Sequence, residues 1–265
     1  MPTSLGNNHH RESPYWKVER LQAGYGKSVI VHDVSLSLAL GEVVAIVGAN
    51  GAGKSTLLKA MVGLIPPLDG RITLGDDDVT ELATDDLIRR GVGYVPQLRD
   101  IFETLTVAET LRMGGYLLSR QRVAERMDEI VAMFPQLSRL MTRRGLNLSG
   151  GERKLVACGR ALMAEPKVLV LDEPTASLSQ ERAKELLEDI VPQLVAGGTG
   201  VLLVEQKMRA AMECADWAYV LVAGRVRLEG PSATLLEVAD LPDILLGHSH
   251  PSVSSETYAK DKSEF

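Results

Sequence analysis

The chain has 265 residues, 45% of them hydrophobic, and 29 basic against 35 acidic side chains leave a formal net charge of −6. This allows a substantial buried core and excludes a disordered polyelectrolyte; it also gives no global attraction to nucleic acid or anionic lipid. No apolar run, Val43-Val44-Ala45-Ile46-Val47 included, approaches the ~20 residues that a bilayer-crossing helix needs, so no transmembrane segment is expected.

Residues 1–14 and 248–265 are polar, without helical or strand periodicity, and read as flexible tails around a single unit at 15–247. His9, His10, His248 and His250 have no Cys or carboxylate cluster beside them, so they read as solvated tail residues. The opening residues lack the apolar stretch of a secretory leader, and the two cysteines, Cys158 and Cys214, point to a reducing cytoplasm without a disulfide framework. No internal repeat is visible, so one unit is expected, not two in tandem.

Within the unit, β-rich segments at Trp16–Leu21 and Ser28–Leu38 precede a buried-type strand at Glu42–Val47. A glycine-rich turn follows, then a helix pattern at Ser55–Val62 with Leu57, Leu58 and Met61 on one face. Further apolar runs at Gly93–Val95, Val168–Leu171, Gly200–Val204 and Ala218–Val222 lack polar alternation, as parallel strands covered on both faces do. Residues from about 98 to 147 show helical spacing alone (Val107–Leu118, Gln121–Phe134, Gln136–Met141) and read as a helical subdomain inserted into a mixed α/β sheet.

Gly48-Ala49-Asn50-Gly51-Ala52-Gly53-Lys54-Ser55 fits GxxxxGK[ST] between a strand and a helix, the context in which that motif binds phosphate. Its glycines let successive N–H groups face one anion at a helix start. Lys54 is expected on the β- and γ-phosphates, Ser55 on Mg²⁺ and Thr56 near the α-phosphate. Val168-Leu169-Val170-Leu171 then ends abruptly in Asp172 and Glu173. At the carboxyl edge of a parallel sheet these two acids suit a Mg²⁺ ligand and a general base that deprotonates water. This edge lies beside the phosphate loop if the two strands are neighbours.

Leu148-Ser149-Gly150-Gly151-Glu152 has the S-x-x-E spacing of a helix capping box and also offers a hydroxyl and two glycine N–H groups as an anion site. It matches the LSGGE signature, so the chain resembles ATP-binding cassette (ABC) proteins over roughly residues 16–240. The resemblance implies a P-loop NTPase cassette fold, ATP and Mg as ligands, and ATP hydrolysis between two head-to-tail cassettes. It also implies that Ser149, Gly150, Gly151 and Glu152 act on ATP held by the opposite subunit. Tyr25 matches the adenine-stacking aromatic, and Gln97 matches the glutamine that joins Mg²⁺ and water to the helical subdomain. Two positions depart from the commonest pattern: Ser179 stands where many cassettes carry aspartate, and Gln206 where most carry histidine.

The same departures, in Val201-Leu202-Leu203-Val204-Glu205-Gln206, make the chain similar to the ATPase subunits of importers for branched-chain amino acids, urea or short amides. That likeness implies permease partners docking near Gln97 and Leu98–Leu105, and indirectly a periplasmic solute-binding protein. It places the chain in the cytoplasm, held to the inner membrane by the permease. The alternatives are a soluble, non-transport ABC ATPase switch or a scaffold with impaired hydrolysis. Neither the tandem cassettes nor the long coiled coil of the switch proteins appears, and Lys54, Asp172 and Glu173 speak against the scaffold.

Overall fold

The computed structural model describes residues 3–4, 14–98 and 100–238. The tails expected at 1–14 and 248–265 fall almost wholly outside the described residues, as does the end of the unit at 247. Strands run β1 (Thr3–Ser4), β2 (Trp16–Tyr25), β3 (Ser28–Leu38), β4 (Val43–Val47), β5 (Asp69–Leu74), β6 (Asp77–Asp78), β7 (Val92–Val95), β8 (Val168–Asp172), β9 (Gly200–Glu205), β10 (Trp217–Val222) and β11 (Arg225–Pro231). Helices are α1 (Lys54–Met61), α2 (Thr84–Arg89), α3 (Val107–Gly114), α4 (Arg120–Met133), α5 (Gly150–Leu162), α6 (Gln180–Lys184), α7 (Val191–Ala196), α8 (Met208–Cys214) and α9 (Ser232–Leu236).

The central sheet has the order β1-β11-β10-β4-β9-β8-β7, with β10, β4, β9, β8 and β7 all parallel. Every residue of β4, β8 and β9 is buried, and alternate residues enter different cores. Val43, Ala45, Val47, Leu169, Leu171, Val201 and Leu203 pack with α5, α7 and α8. Val44, Ile46, Val168, Val170, Leu202 and Val204 pack with α1 and the second sheet. Period-two alternation therefore survives, but both faces are apolar and the sequence shows an unbroken run.

The second sheet, β3-β2-β5-β6, is antiparallel; β2 and β3 fall on the expected β-rich segments, whereas β5 and β6 were not legible in the sequence. In β5 only Ile72 and Leu74 are buried, so no apolar run announces it. Trp16, Val18, Leu36 and Leu38 carry this sheet onto the central one, and the Ser37 N–H donates to the Tyr219 hydroxyl of β10 at 3.1 Å. A second correction concerns strand order. The strand bearing Asp172 is not adjacent to the strand feeding the phosphate loop, because β9 lies between them.

Between 101 and 147 the chain forms α3, α4 and 3-10 turns at Pro135–Leu140 and Gly145–Asn147. The expected helix to Leu118 ends at Gly114, and that at Gln136–Met141 is the 3-10 turn. Two glycines set how closely these pieces approach α5. A Cβ on Gly114 would lie 2.1 Å from the Arg160 carbonyl oxygen, and one on Gly159 would meet Ile130, Leu111 and Leu137 within 3.3 Å. Gly114→Ala is expected to destabilise the protein by about 1–3 kcal/mol through overpacking. Gly115→Ala, whose Cβ has only side-chain atoms near 3.1 Å, should cost less. Urea midpoints of the two variants against wild type check this ordering.

Candidate functional site

The phosphate loop leaves β4 at Gly48, where a Cβ would come within 2.4 Å of the Leu221 carbonyl oxygen of β10. Gly53 has φ 101° and caps α1 with no side-chain hydrogen bond, and no acid occupies the first turn. Open N–H groups and an unneutralised helix start leave a place for an anion. Gly51 has φ 79°, the Ala52 N–H donates to the Ala49 carbonyl at 3.1 Å, and the Gly224 N–H donates to the Ala52 carbonyl at 2.8 Å. The loop is thereby fixed to the β10–β11 turn. Lys54 is 5% exposed and donates to the Gly48 and Ala49 carbonyls at 2.8 and 3.2 Å. Asn50 and Ser55 are exposed and Thr56 is buried.

The carboxyl edges of β4, β9, β8 and β7 bring the remaining motif residues together. Asp172 ends β8 and is 6% exposed. Glu173 follows with φ 44°, its N–H donating to the Val204 carbonyl at 2.8 Å. The Gln97 amide, two residues past β7, donates to Glu173 Oε2 at 2.6 Å. Residues 76 positions apart in sequence thus meet.

Burial, and then the Glu173 carboxylate, push the Asp172 carboxyl up to about 6, against the opposing pull of Lys154, the Gln97 backbone and Lys54. The Tyr94 hydroxyl, hydrogen-bonded to Asp172, is raised well above the phenol range by burial and that carboxylate. Burial lowers Lys54, while Glu173, Asp172 and Glu205 pull it back toward the charged form. This is a phosphate-loop ammonium facing an acid pair of which Asp172 is buried.

The oxygen donors here are the Ser55 hydroxyl, the Asp172 carboxylate and the Gln97 amide oxygen. That is a hard set with one strong anionic ligand, suited to a Mg²⁺ that completes its shell with water and phosphate oxygens. Among the described residues no group of three or more His, Cys, Asp or Glu could hold a metal, and such a shared site needs none.

Gln206 directly follows β9, exposed at the same sheet edge. Tyr25 ends β2, 46% exposed, with Lys59 of α1 at 3.5 Å from its hydroxyl and 5.9 Å from its ring centre. At α5 the capping-box reading of the signature is realised. Ser149 and Glu152 form a reciprocal capping box, with the Glu152 N–H donating to Ser149 Oγ at 3.2 Å and the Ser149 N–H to Glu152 Oε2 at 2.8 Å. Gly150 and Gly151 face Ser177 and Leu178, in the loop after Glu173. Ser179 caps α6, its hydroxyl accepting from the Arg182 N–H at 3.4 Å.

Two site residues were missed from sequence. Glu205, 2% exposed, accepts from the Thr175 N–H and hydroxyl at 3.0 and 2.7 Å and from the Gln206 N–H at 3.2 Å. It fastens the loop after Glu173 to the end of β9. Lys154, 1% exposed, donates to the Pro96 and Gln97 carbonyls. In each case the available signal was a charge placed directly against an apolar run.

The model of the ABC transporter family matches residues 31–176. The chain is 38% identical to the high-affinity branched-chain amino acid transport ATP-binding protein BraG of Pseudomonas aeruginosa, over 86% of this chain and 98% of that one. It is 33% identical to the lipopolysaccharide export system ATP-binding protein LptB of Escherichia coli, over 86% and 95%. A nucleotide-free ATP-binding cassette from an ABC transporter superposes with a TM-score of 0.78 at 27% identity, covering 87% of this chain and 98% of that one. A dimeric cassette in a post-hydrolysis state with ADP and Pi gives 0.74 at 26%, covering 82% and 98%. With its phosphate loop, carboxylate edge and signature helix in that fold, the chain belongs to the ABC transporter family and is one of its ATP-hydrolysing cassettes.

Proposed function

We propose that this cassette drives an importer of branched-chain amino acids or a related small polar solute such as urea or a short amide. The observation that carries the cargo class is the 38% likeness to BraG along 98% of that protein. The 33% likeness to LptB favours, less strongly, a cassette of an export system. The cassette works as a dimer with itself or a sister subunit, on the cytoplasmic face of the inner membrane, held there by permease subunits that take solute from a periplasmic binding protein.

The docking segment is the chain around Leu98 and α3. Among the described residues five of the eleven exposed large hydrophobics, Leu98, Phe102, Met113, Tyr116 and Leu117, fall between 98 and 117. Within this segment Val107 is buried and Ile101 packs against the core. Phe102 remains exposed.

Tyr25 stacks on adenine, and residues 48–53 wrap the phosphates with their N–H groups. Lys54 exchanges its loop carbonyls for β- and γ-phosphate oxygens, a charge-assisted and stronger bond. Ser55, Asp172 and Gln97 hold Mg²⁺, which when bound offsets phosphate charge. Glu173, oriented by Gln97, takes a proton from water as that water attacks the γ-phosphorus and the bond to the leaving ADP oxygen breaks. Gln206 donates a neutral hydrogen bond to the γ-phosphate. Ser149, Gly150, Gly151 and Glu152 close on the nucleotide of the opposite subunit.

Co-purification from native membranes, followed by binding and uptake assays on the recovered complex, tests the assignment. Permease chains and uptake of a branched-chain amino acid, urea or short amide are expected; recovery of an export complex would overturn it. Glu173→Gln should keep ATP binding and slow hydrolysis by ~100-fold or more. Size exclusion with Mg·ATP should then show a trapped pair of cassettes, and full turnover would remove Glu173 as the base.

Asp172 gives a stability prediction. Its carboxyl titrates near 6 when folded, against the ordinary 3.8, so the folded state binds more protons in that interval and stability falls as pH rises through it. Asp172→Asn removes this loss. Without nucleotide the variant should be more stable than wild type by about 1–3 kcal/mol near neutral pH, the gap narrowing toward pH ~4, while Mg·ATP stabilises it less. Denaturant titrations at two pH values, with and without Mg·ATP, measure both effects.

A further inference from the structure

Lys154 is a buried cation that the nucleotide chemistry above does not use. It stands in the second turn of α5, the helix opened by Ser149, Gly150 and Gly151. Its ammonium donates to the Pro96 carbonyl at 2.8 Å and the Gln97 carbonyl at 3.1 Å, and Asp100 Oδ2 lies 3.3 Å away. Two backbone acceptors and one carboxylate thus surround an ammonium with three donors. The lysine side chain is 2% exposed and that of Asp100 12%, so this pair carries a real desolvation cost, and an apolar pair of similar volume stabilises a fold as well or better. Stability alone is therefore a poor account of a charge here.

Its placement supplies a better one. Pro96 and Gln97 directly follow β7, and the Gln97 side chain reaches Glu173 at 2.6 Å. One ammonium thus holds by its backbone the residue that orients the proposed base, and holds Asp100 in the segment proposed to meet the permease. Both are fastened to the helix whose N-terminus is proposed to close on the partner's nucleotide.

We infer that Lys154 is a positioning residue for hydrolysis: its ammonium fastens Pro96, Gln97 and Asp100 to α5, so that Gln97 addresses Glu173 only while the signature helix is in place. The inference rests on the roles proposed for Gln97 and Glu173. Lys154 touches no reacting atom and acts through the Gln97 backbone. A displacement of about 1 Å in such a support costs up to ~100-fold in rate without removing the nucleotide contacts.

The test compares kcat, KM and equilibrium Mg·ATP binding for the full-length wild type, Lys154→Gln, Asp100→Asn, the double variant and Glu173→Gln. Lys154→Gln removes the ion-pair partner of Asp100 and leaves it only the charge of the neighbouring Arg160, and its amide has one donor fewer than the ammonium. Its kcat should fall by about 10- to 100-fold with Mg·ATP affinity unchanged. The double variant restores a neutral hydrogen-bonding pair and should recover most of the turnover, which a merely structural lysine would not give. Wild-type kcat in Lys154→Gln overturns the inference, as does a parallel loss of affinity and turnover that the double variant fails to repair. Full turnover by Glu173→Gln would instead bring down the base assignment beneath it.

Discussion

Strands β4, β8 and β9 are buried on both faces along their whole length, and the placement of the polar groups at their carboxyl ends follows from that burial. A charge in the middle of such a strand would lie in one of two apolar cores without a partner, at a cost of several kcal/mol. Polar chemistry is therefore expelled to the strand ends. Because these strands are parallel, their carboxyl ends all open on one edge, and four successive strands deliver Gln97, Asp172 with Glu173, Gln206 and the phosphate loop there in register. β9 separates the phosphate loop from the carboxylates and closes the gap with a side chain, Glu205, whose two oxygens tie Thr175 and the Gln206 N–H to that strand's end.

The edge is electrostatically strained before any ligand arrives. Burial raises Asp172, Glu173 raises it further, and burial depresses the facing Lys54. An arrangement that disfavours both signs of charge is stabilised by a ligand that brings both, as the proposed magnesium nucleotide would: cation to the carboxylate, anion to the ammonium. The carbonyls of Gly48 and Ala49 hold Lys54 in the meantime, so ligand binding exchanges partners instead of creating a contact where none existed. Perturbed groups gathered in one place are a mark of function, and here the perturbation has a stated relief.

What could be read from the sequence and what could not divide along the same physical line. The buried parallel strands were legible because burial on both faces produces unbroken apolar runs, and the phosphate loop because its glycines and lysine are local. Half of the second sheet was hidden: β5 and β6 bury only two side chains between them, Ile72 and Leu74, and otherwise read as a charged loop. α3 was overextended to Leu118 because the apolar spacing continues past Gly114, whereas the close crossing with α5 is a tertiary fact. Glu205 and Lys154 were invisible as site residues because their partners, Thr175 and the Pro96 and Gln97 carbonyls, lie 30, 58 and 57 positions away.

Lys154 also bears on how the two halves of the molecule communicate. The helices of 101–162 share one continuous apolar cluster with a face of the central sheet, Leu111, Ile130 and Leu155 packing in the same core as Leu171 and Leu203. Apolar contact of this kind is non-directional and allows small sliding at little cost, so it does not determine which atom of Gln97 meets Glu173. Directional bonds are required for that, and across this boundary the ammonium of Lys154 supplies two, to the Pro96 and Gln97 carbonyls, beside its ion pair with Asp100. A rotation of α5 that the core tolerates is therefore transmitted to Gln97, while a fixed α5 holds the glutamine against the base.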